Sequence, residues 1–165
     1  MLARLGEEII NRIKDKIKIE LPVSLAVVQS EFGDVPGCEP PQSYFISRNN
    51  VGYRSPAVTI SLAKMTFNNI DGGQQYVDAD SEVGIEISFE DKELEALERK
   101  QWRYSQAAYH VLHDVDIMSS DMFMMGKIIV ESIDYTLSQE LSTDVAMFRK
   151  SVLITCTVKH QEPFN

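Results

Sequence analysis

Residues 127–160 read KIIVESIDYTLSQELSTDVAMFRKSVLITCTVKH, and the end of that stretch limits the fold more than any other part of the chain. Val152, Ile154, Cys156 and Val158 alternate with Leu153, Thr155, Thr157 and Lys159, which makes a strand with one fully apolar face. Upstream, Ile129, Ile133 and Tyr135 alternate less cleanly with Val130, Ser132 and Asp134. Two long strands joined by the polar connection 138–144 are expected. A sheet built on them needs a cover for its apolar face.

Two amphipathic helices can supply it. Leu2, Leu5, Ile9, Ile13 and Ile17 form a stripe at spacings of three and four, broadened by Ile10, with Arg12, Lys14, Lys16 and Lys18 on the opposite face. This helix is expected to stop before Pro22, because the residue preceding a proline is pushed out of the helical region. The second helix spans 92–115. Leu94, Leu97, Tyr104, Ala108, Val111 and Val115 make its stripe, Trp102, Tyr109 and Leu112 widen the buried face, and Asp91 is its cap or near-cap residue. Arg99, Arg103, Gln106, His110 and His113 form a separate polar stripe. A short turn near 119–126, ended by Gly126, leads into the C-terminal strands.

Strand composition recurs at 23–29, 43–47, 57–63 and 83–89, with clear alternation in the last two. The expected fold class is α+β: a mixed, mostly antiparallel sheet covered on one face by the two amphipathic helices. Between 57–63 and 83–89 lies KMTFNNIDGGQQYVDADSE, too long for a tight hairpin turn, with a turn signal at Asp71-Gly72-Gly73. A long hairpin-like extension between two central strands, with 64–82 as a projecting loop or arm, is the reading. Phe67, Ile70, Tyr76 and Val77 flank its turn and are candidates for contact with another subunit.

The length of 165 residues suits one domain, 1–165. No apolar run approaches the roughly 20 residues of a membrane helix. The N-terminus mixes charge into every turn, unlike a signal peptide, so a cytoplasmic location is expected. Cys38 and Cys156 read as free thiols, and no CxxC pair suggests structural zinc. A net charge of −9 disfavours a grip on nucleic acid, whose affinity comes from Lys and Arg on phosphates.

Chemical motifs are missing. There is no GxSxG elbow, P-loop, GxGxxG or HExxH. His110 and His113 have ligand spacing but share a stripe with Arg99 and Arg103, which would repel a cation. Asp78, Asp80 and Glu82 resemble the start of a calcium loop without its glycine and distal glutamate. No cofactor, metal or catalytic residue is expected.

The order of elements carries a resemblance. The opening LARLGEEIINRIKDKI, the helix ELEALERKQWRYSQAAYHVLHD and the ending DVAMFRKSVLITCTVK resemble the tail terminator and head-tail joining (tail completion) proteins of long-tailed bacteriophages, over nearly the whole chain. The ending leads Met147-Phe148-Arg149-Lys150 into a final alternating strand. The resemblance implies a structural, non-enzymatic role in the virion neck. It implies a ring, usually a hexamer, between connector and tail-tube proteins, assembled in the host cytoplasm, with DNA passing through the lumen. Asp78, Asp80 and Glu82 are the candidates for an acidic lining that repels phosphate. The alternative is a small cytoplasmic α+β enzyme or ligand-binding domain, its anion site near Arg99, Arg103, His110 and His113.

Overall fold

The computed structural model describes residues 2–33, 35–47, 54–68, 76–117, 124–142, 144 and 146–163. Among them the order is α1 (Leu2–Phe32), β1 (Ser43–Ile46), β2 (Ala57–Asn68), β3 (Tyr76–Asp91), α2 (Leu94–Leu112), β4 (Val115–Ile117), β5 (Met124–Tyr135), β6 (Gln139–Ser142) and β7 (Met147–Pro163). The strands form one sheet in the order β1-β2-β3-β7-β5-β4, with β6 also on β7. All neighbours are antiparallel except β1 and β2, which are parallel. The α+β expectation, with helices packed on a mixed, mostly antiparallel sheet, is what the chain adopts.

β7 sits at the centre, between β3 and β5, as its period-two pattern requires. Val83, Ile85 and Ile87 of β3 stand opposite Cys156, Ile154 and Val152 of β7, and all six are buried under the helices. These apolar cross-strand pairs stabilise the middle of the sheet. β5 is irregular for a definable reason. Its register shifts between Val130 and Ser132, so Ile128 and Val130 face the helices, and Ile133 and Tyr135 return to that side after the bulge. Ile129 therefore pairs with Thr157 on the opposite face, contrary to the simple alternation.

The first helix differs most from the sequence expectation. It runs through Pro22 to Phe32, and residues 23–29 are helical, not a strand. The reason lies in the stripe: Leu21, Leu25 and Val28 continue the three-four spacing of Ile9, Ile13 and Ile17, and all are buried. Core burial along that line outweighs one missing intrahelical hydrogen bond. Lys18 is exposed and Pro22 half-buried, so water can reach the freed Lys18 carbonyl. The helix ends at Gly33, whose φ of 91° is the left-handed cap position and whose amide donates to the Gln29 carbonyl at 2.8 Å.

The helices cross through Ser24, whose hydroxyl donates to the Ala107 carbonyl at 2.9 Å. At its other end α1 presses on β2: a Cβ at Gly6 would lie 3.1 Å from Leu62. α2 is shorter than expected, and Glu93 holds its N-cap position. Asp91 takes the near-cap place and accepts from the Glu93 amide at 3.0 Å. Trp102 and Tyr109 do not widen the buried face; Trp102 is 57% exposed. The connection 138–144 contains strand β6. The expected turn at 119–126 falls largely outside the described residues.

Candidate functional site

Residues 64–82 are largely paired strand. Lys64–Asn68 of β2 ladder with Asp78–Glu82 of β3, and β3 in turn with the end of β7 as far as Tyr76 opposite Pro163. The extension is thus the far end of the sheet, and what lies between Asn68 and Tyr76 is outside the described residues.

Asp78, Asp80 and Glu82 occupy alternate positions of β3. Val83, Ile85 and Ile87 face the helices, so the three carboxylates share the uncovered face. There they stand among donors. Glu82 is opposite Lys64, Asp80 is opposite Lys159, and Gln161 donates to Asp78 at 2.9 Å. Asn68 donates to Asp80 at 3.3 Å. Phe67 points to the helix side, opposite Ala79, and is 36% exposed. Tyr76 and Val77 lie on β3 opposite Pro163 and Glu162, and Ile70 lies outside the described residues.

The same face carries a second polar group farther down. Glu86 accepts from Ser88 at 3.2 Å and from Ser151 at 3.0 Å, and the two hydroxyls lie 3.1 Å apart. Beyond it, Arg149 donates from Nε and Nη2 to one oxygen of Glu90 at 3.2 and 2.6 Å. No sequence signal marks this ladder, because each residue is ordinary alone; only the β3–β7 register assembles it.

On the helix side, Ser81 and His160 are both buried and their Oγ and Nε2 lie 2.9 Å apart. Burial pushes the His160 imidazole below its usual pKa, with Asp80 pulling the other way. The pair joins β3 to β7 inside the sheet's cover. Its sequence signal is parity: His160 continues the buried series Val152, Ile154, Cys156 and Val158.

The polar stripe of α2 does not come together as an anion site. Arg103 is buried and donates to the carbonyls of Pro36, Val35 and Phe32, the last two at 3.0 and 3.3 Å. Arg99 is paired with Glu95 at 2.7 Å. His113 accepts the Val130 amide at 3.2 Å through Nδ1 and stacks on Tyr109 at 4.5 Å. His110 is exposed. The hollow beside Phe32, Trp102 and these arginines measures about 280 Å³, at the small end for a ligand pocket.

Arg103 instead clamps the loop that follows α1. Tyr104 adds a hydrogen bond to the Glu39 carbonyl at 2.6 Å, and the Gln29 amide brackets Cys38, donating to its carbonyl at 3.0 Å and accepting from its N–H at 3.2 Å. Both cysteines are free and buried. Burial raises the Cys38 thiol against the pull of Arg103, and burial pushes Cys156 to about 12, with Glu131 adding to it.

Among the described residues, no three His, Cys, Asp or Glu side chains are grouped to hold a metal ion, and no helix is long and apolar enough to cross a membrane.

No family model matches the chain, and no curated protein matches it. Among solved structures, one chain to which it is similar illustrates the likeness. That chain belongs to the virion of a native gene transfer agent (GTA) particle; the identity is 12% and the TM-score 0.38, over 87% of this chain and 94% of the other. At that score the likeness bears on neither activity nor partners.

What remains accessible is the rim of the sheet. β1 pairs with β2 only at Ala57–Ile60, and from residue 61 to Asn68 the outer edge of β2 has no strand beside it among the described residues. On the other side β4 covers β5 only at Gly126–Ile128, His113 takes the Val130 amide, and 131–135 are open in the same sense.

Proposed function

We propose that the chain is a structural protein of a tailed-phage particle that assembles with copies of itself into a ring, as a tail terminator or head-tail joining protein. The observation that carries this reading is the pair of open sheet edges on opposite sides of one subunit, at β2 and at β5. A ring repeats one heterologous contact until it closes, and that requires two different surfaces on each copy. The element order that resembles the neck proteins agrees with it.

In this reading the ring is a hexamer seated between connector and tail-tube proteins at the head-tail junction, formed in the bacterial cytoplasm. The far end of the hairpin, with Phe67, Ile70, Tyr76 and Val77, reaches the next subunit. Asp78, Asp80 and Glu82 face the lumen, where DNA passes without being held. Lys64 and Lys159 among them moderate the repulsion of phosphate.

Light scattering and negative-stain imaging of the purified protein test the assembly. Rings are the expected result, and isolated monomers throughout the accessible concentration range would sink the proposal. Phe67→Asp combined with Tyr76→Asp should weaken assembly while leaving monomer unfolding nearly unchanged. A large loss of monomer stability would assign those side chains to the core instead.

A further inference from the structure

We infer that neighbouring copies join by strand addition, the β2 edge at 61–68 of one copy pairing with the β5 edge at 131–135 of the next. The inference rests on the ring reading and specifies its contact.

Among the described residues neither edge has a strand beside it, the arrangement that accepts an added strand. Their side chains match face by face. On the helix side β2 presents Leu62, Met65 and Phe67, all partly exposed, and β5 presents Ile133 and Tyr135, also partly exposed. Joining the edges extends the half-covered apolar layer from one subunit into the next. On the uncovered side β2 presents Lys64 and Thr66, and β5 presents Ser132 and Asp134.

Charge selects the partner. The only charged residue in 61–68 is Lys64, whereas 131–135 carries Glu131 and Asp134. An edge meeting its own copy would set like charges side by side, and unlike edges set Lys64 against carboxylates. The contact is therefore head-to-tail, the kind that closes a ring. Each edge also carries a register shift, between Leu62 and Lys64 on β2 and between Val130 and Ser132 on β5. Bulges discourage indiscriminate edge pairing, and two of them restrict the joint to registers in which both are accommodated.

Cysteine crosslinking with a flexible bis-maleimide tests the joint, because Cys38 and Cys156 are buried and give little background. Thr66→Cys protein mixed with Ser132→Cys protein should give crosslinked dimers, and neither should do so alone. A chain carrying both substitutions should give a ladder up to the ring. Rings by light scattering without the mixed crosslink would overturn strand addition and leave the ring standing. Thr66→Cys crosslinking to itself would overturn the head-to-tail assignment. Monomers alone would remove both readings. Lys64→Glu should lower the assembled fraction several-fold at low salt, and Asp134→Lys in the same chain should restore it. Failure of that rescue counts against the edge pair.

Discussion

Lys150 and Glu98 form an ion pair near the start of α2 in which only one partner is sealed: the lysine side chain is 6% exposed and the glutamate 45%. Lys150 lies on the helix side of β7, opposite Phe89, where an ammonium group needs its counter-ion. Glu98 is also held by the Gln101 amide at 2.6 Å. The two halves of the pair should respond differently to removal. Glu98→Ala strands a buried cation and is expected to cost about 2–3 kcal/mol. Lys150→Met leaves a carboxylate that water can solvate and is expected to cost about 1 kcal/mol or less. Urea unfolding of both variants measures the difference, and equal losses would refute the asymmetry.

Pro22 sits inside α1 without contributing to the buried stripe. Replacing it by alanine restores an amide donor toward the Lys18 carbonyl and removes the ring's clash with that turn. Pro22→Ala is expected to stabilise the protein by about 1–2 kcal/mol, part of the roughly 3 kcal/mol by which proline disfavours a helix interior. A rise in melting temperature with slightly higher helical ellipticity is the expected record. A fall would mean that the bend at Pro22 is needed to fit α1 to the sheet.

His160 gives a pH dependence of definite sign. Its folded pKa is depressed by burial, whereas the unfolded chain takes up a proton at about 6.5. Above that pH both states are neutral and the group adds no slope. As the pH falls below it the unfolded state binds more protons, so stability drops until the depressed folded pKa is passed. His160→Gln should flatten this part of the profile. Urea titrations at about pH 7.5 and about pH 5.5 decide it. The stability difference between wild type and variant should shift against the wild type at the lower pH, and an unchanged difference would rule the depression out.

The middle of the sheet was legible because its signal is local. β3 and β7 alternate without interruption, and the shared face of Asp78, Asp80 and Glu82 follows from parity alone. The length of α1 was not, because a proline followed by Val23, Val27 and Val28 has local strand preferences. The winning signal, Leu21, Leu25 and Val28 in line with Ile17, extends across the proline. The Glu131 bulge hid the face on which Ile129 lies. Arg103 read as part of a polar stripe because its acceptors are backbone carbonyls 67 to 71 residues away, and carbonyls leave no mark in a sequence. The open edges were illegible for a related reason: whether a strand has a neighbour is a property of the whole sheet.

The position of β7 has a consequence for how the protein is made. β3 and β5 are not neighbours; among the described residues the two halves of the sheet, β1-β2-β3 and β5-β4, are joined only through β7. On the ribosome the β2–β3 hairpin and the β4–β5 pair therefore emerge as two fragments with raw inner edges, and no step in translation can join them until the strand they share is synthesised. The nascent chain is most open to wrong partners in that interval, and closing the sheet around the last strand ends it in one event.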